Sequence, residues 1–292
     1  MKKSYLFAGL TVLFWATIPT AFKVALRHLD FIELLFVAIL TTLVFLFAIL
    51  VIERRVGEIF SFSRHQYISS IILGFLNPFA YYLILLKAYS LLPAQIAQPL
   101  NFTWPIVLVF LAMPILKQKI TSKNFAALLL SFAGVYFISS KGDPFNLQFA
   151  EPLGVFLAVG SSVIWALFWI FNVKDKRDEV SKLFLNFFFA LVFILPVWLL
   201  FSEKSLLKPE ALFSGIYVGL FEMGITFVLW LKALRMASST AKISNLIYLT
   251  PFFSLIFVHF ILGEQIFFTT IIGIFLVVSG IVFQEIKKKN SV

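Results

Sequence analysis

Apolar runs of about twenty residues recur along the whole chain, and each has the length an α-helix needs to cross a bilayer. Ten are read, over residues 5–24, 31–52, 67–87, 94–115, 123–140, 153–173, 182–201, 211–231, 240–261 and 266–284. Lipid offers the backbone no hydrogen-bond partners, so runs of this kind fold as helices. The connections are short and leave no room for an extramembrane domain. Charged residues make up 13% of the chain, about half the share of a soluble domain. The expected fold is an all-α membrane protein with ten transmembrane helices. The first run follows Lys2 and Lys3, as a signal peptide would. It is longer than one, however, and leads into Lys23, Arg27 and His28 without a small-residue cleavage site, so it is read as a retained span.

The placement of charge sets the expected topology. With the N-terminus in the cytoplasm, 18 of the 24 lysines and arginines fall on the cytoplasmic side. The exceptions are Lys23, Arg27, Lys87, Lys141, Lys204 and Lys208. This bias puts both termini in the cytoplasm. The net charge of +10 is thus a matter of topology, and no nucleic-acid partner is expected. The absence of cysteine excludes disulfides, thiol catalysis and iron–sulfur clusters. Three scattered histidines make no zinc site, and H-E-x-x-H, P-loop and G-x-S-x-G patterns are missing. No enzyme, metal or cofactor is expected, and uphill movement of a solute would draw on an ion or exchange gradient.

The chain repeats itself. L-F-W-A around Trp15 is answered by V-I-W-A around Trp165, 150 residues later. K-A-Y-S at 87–90 is answered by K-A-L-R at 232–235, Pro105 by Pro251 and Gly134 by Gly280, at offsets of 145 or 146. These matches describe a duplicated five-helix unit, residues 1–143 and 144–292. Five is odd, so the second copy enters the membrane upside down. Inverted repeats build alternating-access transporters, with the binding site near the midplane where the copies meet.

Ten spans, the duplication and three stretches of sequence carry a resemblance. W-A-x₆-K from Trp15 to Lys23, L-G-E at 262–264 and G-I-F-L-V-V-S-G-I-V-F at 273–283 resemble motifs of the drug/metabolite transporter superfamily, EamA type. The chain departs from that pattern in L-K-Q-K at 116–119, where a second L-G-E is expected. It departs again in a second span without the mid-span arginine common in relatives. The resemblance implies a bacterial inner-membrane, multi-pass carrier of small metabolites, often an exporter, with the first and sixth spans beside the central chamber.

Within Y-V-G-L-F-E-M-G-I-T-F, residues 217–227, a single carboxylate, Glu222, lies near the bilayer centre. An ionised side chain there costs from about 2.5 to over 10 kcal/mol. On a regular helix Gly215, Gly219, Glu222 and Thr226 form one stripe of small and polar residues, so the carboxylate is expected to face protein or a cavity. An offset of 145 maps this stripe onto Ser70, Gly74, Asn77 and Tyr81, making Asn77 the counterpart of Glu222 across the pseudo-twofold axis. Glu222 then either carries a proton or counters the charge of an organic cation. The alternative is a neutral acid bonded to Thr226 or a backbone carbonyl for packing alone.

Other residues are weighed in the same way. Trp15, Trp165 and Trp169 lie inside their spans, where indole faces suit aromatic or cationic ligands; with 38 phenylalanines in the chain, plain packing competes. In A-Q-I-A-Q-P-L-N-F-T-W-P, Gln95, Gln98 and Asn101 share a face, and Pro99 and Pro105 each free a backbone carbonyl. Gln98 and Asn101 are candidate ligand contacts, with Ser244, Asn245 and Tyr248 as their counterparts and Tyr248 preferred. Lys23 is read as snorkelling to headgroups or meeting a substrate carboxylate. His259 is read as a satisfied bundle histidine, Glu264 as a helix-end brace and Lys287–Lys289 as a solvated tail. The leading expectation is a secondary transporter for small amphipathic metabolites such as amino acids or organic amines, with protons or an exchanged metabolite as coupling partner. The competing one is a membrane-embedded structural protein without transport.

Overall fold

The structure, a computed structural model, describes residues 2–116, 121–140, 142–143, 151–202, 209–236, 243, 246–263 and 265–285. Among these residues there are helices and turns and no strand. Six helical stretches are long and apolar enough to cross a membrane: Lys3–Ala25, Phe31–Ile52, Arg64–Leu91, Pro152–Lys174, Glu179–Phe201 and Pro209–Arg235. Four shorter apolar helices, Ile106–Ile115, Phe125–Gly134, Leu249–Leu262 and Phe268–Gly280, overlap the other four apolar runs.

In chain order the helices are α1 (Lys2–Ala25), α2 (Phe31–Ile52), α3 (Arg64–Gly74), α4 (Tyr81–Leu91), α5 (Ala94–Asn101), α6 (Trp104–Leu116) and α7 (Ser122–Ser139). After these come α8 (Pro152–Lys174), α9 (Glu179–Phe201), α10 (Pro209–Val218), α11 (Ile225–Arg235), α12 (Leu249–Leu262) and α13 (Phe268–Glu285). Local chemistry starts several of them. The Asp30 side chain accepts from the backbone N–H groups of Ile32 and Glu33, and Asp178 does the same for Val180 and Ser181. Ser63 and Gln66 form a reciprocal capping box at the head of α3.

Two predicted spans are not continuous helices. A π-helical turn over Phe75–Ala80 separates α3 from α4, and another over Gly219–Gly224 separates α10 from α11. In the first, Pro78 lacks the amide a regular ladder needs and Asn77 leaves helical geometry at φ −155°, ψ 123°. In the second, two glycines bracket the turn and weaken the regular helix. The fourth span also breaks, at Phe102 and Thr103 between α5 and α6. These breaks correct the helical-wheel stripes drawn above, which assume an uninterrupted 3.6-residue period.

Helix pairs cross at close quarters. α2 and α9 run antiparallel. Their ends meet at Ser202–Asp30 (3.0 Å) and Arg55–Asp178 (2.8 Å), and Phe36 stacks on Trp198 between them, centroids 4.4 Å apart. α7 and α13 also run antiparallel: a Cβ on Gly134 would meet the Gly273 carbonyl at 2.4 Å, and one on Gly280 would meet the Ala127 carbonyl at 2.8 Å. Gly134 and Gly280 are sequence counterparts, and so are Ala127 and Gly273, so each contact is the other with the copies exchanged. Gly74 against the Asn186 backbone and Gly219 against that of Ala38 make a second exchanged pair. Bare glycine faces at these four positions allow backbone to touch backbone.

A polar network closes one end of the bundle. Arg55 binds Glu53 (2.7 Å), Glu58 (2.8 Å) and Asp178, while the Ser181 hydroxyl donates to Glu58. Arg177 grips Asp175, donates to Ser70 Oγ at 2.9 Å and lies over the Phe62 ring. Arg235 pairs with Glu179 and donates to the Arg177 carbonyl. The hydrogen bonds from Arg55 and then Ser181 hold the Glu58 carboxyl below its ordinary range. Burial pushes Asp178 up, but the hydrogen bonds and charge of Arg55 outweigh it and leave that carboxyl below its ordinary range too.

Candidate functional site

A narrow cavity lies where α1, α4, α5, α6, α8, α12 and the second π turn converge. Its wall includes Trp15, Pro19, Phe22, Tyr81, Gln98, Asn101, Trp104, Trp165, Glu222 and Thr250, and its free volume is about 40 Å³. That is room for about three waters and far less than the roughly 300 Å³ of a small-molecule site. The cavity would have to widen to admit an amino acid.

Glu222 sits in the π turn with 7% of its surface exposed. Tyr82 Oη donates to its Oε1 at 2.7 Å. The Glu222 backbone carbonyl takes the Trp15 indole N–H at 3.1 Å, and the Thr226 hydroxyl also donates to it. The π turn thus directs the carboxylate toward the cavity while two side chains satisfy its backbone. No lysine, arginine or histidine is on the described wall, so nothing there neutralises a negative charge.

The remaining polar groups are arranged around an aromatic centre. Tyr81 Oη donates to Asn101 Oδ1 (3.1 Å), and Asn101 Nδ2 donates to Ser161 Oγ (3.0 Å). Ser254 Oγ donates to Gln98 Oε1 (2.6 Å). Three buried atoms on lining residues, Gln98 Nε2, Trp165 Nε1 and Thr250 Oγ1, have no partner among the described residues. Trp15 and Trp165, counterparts in the two copies, meet edge to face at 6.1 Å, and Tyr81 lies 4.5 Å from Trp165.

The structure thus gathers six of the sequence candidates, Glu222, Trp15, Trp165, Tyr81, Gln98 and Asn101, on one wall. Trp169 and Thr226 are buried just behind it. Asn77 is not on the wall; it is fully buried with neither amide atom partnered among the described residues. The reason is the break in its helix. Asn77 itself leaves helical geometry there, at φ −155°, ψ 123°, so its side chain does not follow the direction the helical wheel gives it. The side chains of Tyr248 and Gln95 lie outside the described residues, as do Ser244, Asn245, Glu264 and Lys287–Lys289.

Two further expectations change. Lys23 Nζ donates to the carbonyls of Tyr89 (2.9 Å) and Leu92 (3.1 Å), capping the C-terminus of α4 rather than reaching headgroups. His259 is exposed on the outside of the bundle, against Phe260. Sequence reasoning missed Tyr82, Thr250 and Ser254. Tyr82 lies 140 residues from the carboxylate it binds, and no local pattern marks such a pair.

The model of the EamA-like transporter family matches residues 2–140 and again 152–284. An uncharacterized transporter of Archaeoglobus fulgidus is 28% identical over 296 residues, covering 98% of this chain and 99% of its own. The uncharacterized inner membrane transporter YhbE of Escherichia coli is 22% identical, covering 96% of this chain and 90% of its own. A solved crystal structure aligns with a TM-score of 0.77 at 16% identity, covering 98% of this chain and 97% of its own; it shares the fold.

Proposed function

Given that the chain belongs to the EamA-like transporter family, and so is a multi-pass inner-membrane transporter, we propose that it is a secondary carrier of small amphipathic metabolites, amino acids or organic amines. It works by alternating access around the Glu222 cavity, as an exporter or proton-coupled exchanger. Two inverted five-helix units, residues 1–143 and 144–292, would make ten spans with both termini cytoplasmic. The exchanged glycine contacts, the antiparallel α2–α9 and α7–α13 pairs and the double family match support that division.

The observation that carries the substrate class is the composition of the wall. One carboxylate with no cation beside it suits an ammonium group or a proton. Unpartnered donors at Gln98, Trp165 and Thr250 suit a carboxylate or carbonyl. The tryptophans and tyrosines between them suit an apolar or cationic body. The network of Arg55, Arg177 and Arg235 would hold the cytoplasmic mouth shut, and opening that mouth would break Arg177–Ser70 and Arg55–Asp178. Glu222 would be the group that exchanges a proton for the substrate cation.

Purified protein in liposomes tests this reading. Counterflow of labelled large neutral amino acids and aromatic amines is expected to be saturable and competed by unlabelled compound. Flux across the amino acids, amines, nucleobases and sugars that never exceeds protein-free liposomes would sink the proposal.

A further inference from the structure

A second cavity, unrelated to the central one, opens between α3 and the end of α8. It encloses about 630 Å³ and is lined by His65, Gln66, Ile68, Ser69, Ile72, Leu73, Phe171, Lys174, Asp175 and Lys176. Its residues divide by chemistry. At the mouth stand Lys174, Lys176 and His65, all exposed. Asp175, the acid among them, is already held by Arg177 at 2.6 Å, so the mouth keeps an uncompensated positive charge. Below it the walls are apolar. Ile68 and Ile72 are 44% and 54% exposed and face outward, and Phe171 lies one turn inward from Lys174. Positions 65, 68, 69 and 72 share a helix face, so the cleft runs about 10 Å from its basic rim into the hydrocarbon depth.

We propose that this cleft is a binding site for an anionic phospholipid. The phosphate-bearing headgroup lies between Lys174, Lys176 and His65, and one acyl chain runs along Ile68, Ile72 and Phe171. Basic clefts between spans at the end of a bilayer take acidic headgroups by charge, and the outward apolar walls match a chain in the same leaflet. The occupant would brace α3 against α8, next to the bond that Arg177, in the connection after α8, makes to Ser70 of α3. The inference needs only that the protein spans a membrane; it does not depend on transport or on the Glu222 cavity.

Native mass spectrometry of the full chain tests it, with phosphatidylglycerol and phosphatidylcholine offered in equal amounts. Wild-type protein is expected to retain phosphatidylglycerol about 30-fold over phosphatidylcholine, on the scale of two lysines at an acidic headgroup. The double variant Lys174→Gln, Lys176→Gln should lose that preference while melting as wild type, since both side chains are exposed. Excess inorganic phosphate should not displace the lipid. Equal retention of both lipids, a preference that survives in the double variant, or displacement by phosphate would each overturn the proposal.

Discussion

Glu222→Gln is expected to cut substrate flux about 100-fold and to abolish its dependence on pH, while leaving the protein as stable as wild type or more so. The amide matches the carboxyl in shape and can still accept the Tyr82 hydrogen bond, which in the native protein spans 2.7 Å. Packing is therefore preserved, and only charge and the capacity to bind a proton are lost. A hydrogen bond to a charged group contributes about 1.5–3 kcal/mol, which corresponds to roughly 10- to 150-fold in binding or rate. The upper part of that range applies because no second carboxylate on the described wall can substitute. Stability does not fall, since a buried acid without a cationic partner costs free energy that the amide avoids. Proteoliposome flux at several pH values, with a melting curve for each protein, checks both halves. Full, pH-dependent flux in the variant would remove the carboxylate from the mechanism.

The second large effect concerns the glycine contacts between helices. Gly74→Val is expected to lower the melting temperature by about 10 °C or to prevent assembly, and Gly134→Val to do the same. A Cβ on Gly74 would lie 2.3 Å from the Asn186 carbonyl oxygen, and one on Gly134 would lie 2.4 Å from that of Gly273. Both obstacles are backbone atoms, which no rotamer change can move aside. Overpacking that side chains can absorb costs about 1–3 kcal/mol, so these sites belong at or above the top of that range. Each kcal/mol shifts melting by about 2–4 °C in a protein of this size. Gly9→Val and Gly160→Val are the controls, because a Cβ at either position meets nothing within 4 Å. Both should melt within about 3 °C of wild type. A Gly74 variant as stable as the Gly160 variant would mean that α3 and α9 do not touch as described.

These two predictions also mark what the sequence made legible. Apolar run length exposed the spans, because lipid permits little else. The tryptophan repeat singled out Trp15 and Trp165, and both stand on the cavity wall. Gly219 was legible as a close-approach residue from its spacing with Gly215, and its Cβ position is indeed occupied by α2. The breaks were less accessible. A helical wheel carries its 3.6-residue phase through any segment, and a π turn shifts that phase by about one residue. The wheel accordingly put Asn77 on the cavity stripe, whereas it is buried off the wall, at the residue where the first π turn leaves helical geometry. Tyr82 stayed hidden for a different reason. Its partner is fixed by how distant helices pack, and pairwise packing leaves no trace in local spacing. Lys23 shows the same limit: its position near a span end suggests headgroups, yet α4 brings two unsatisfied carbonyls closer.

The proposed carrier requires the Glu222 cavity to open in turn to each side of the membrane. The natural chain has no cysteine, so Thr250→Cys introduces a single thiol on the cavity wall. Membrane-impermeant thiol reagent applied to vesicles of defined orientation should label that cysteine from the cytoplasmic face and, separately, from the opposite face. Labelling through one face alone, whatever substrate or pH is imposed, would contradict alternating access at this site.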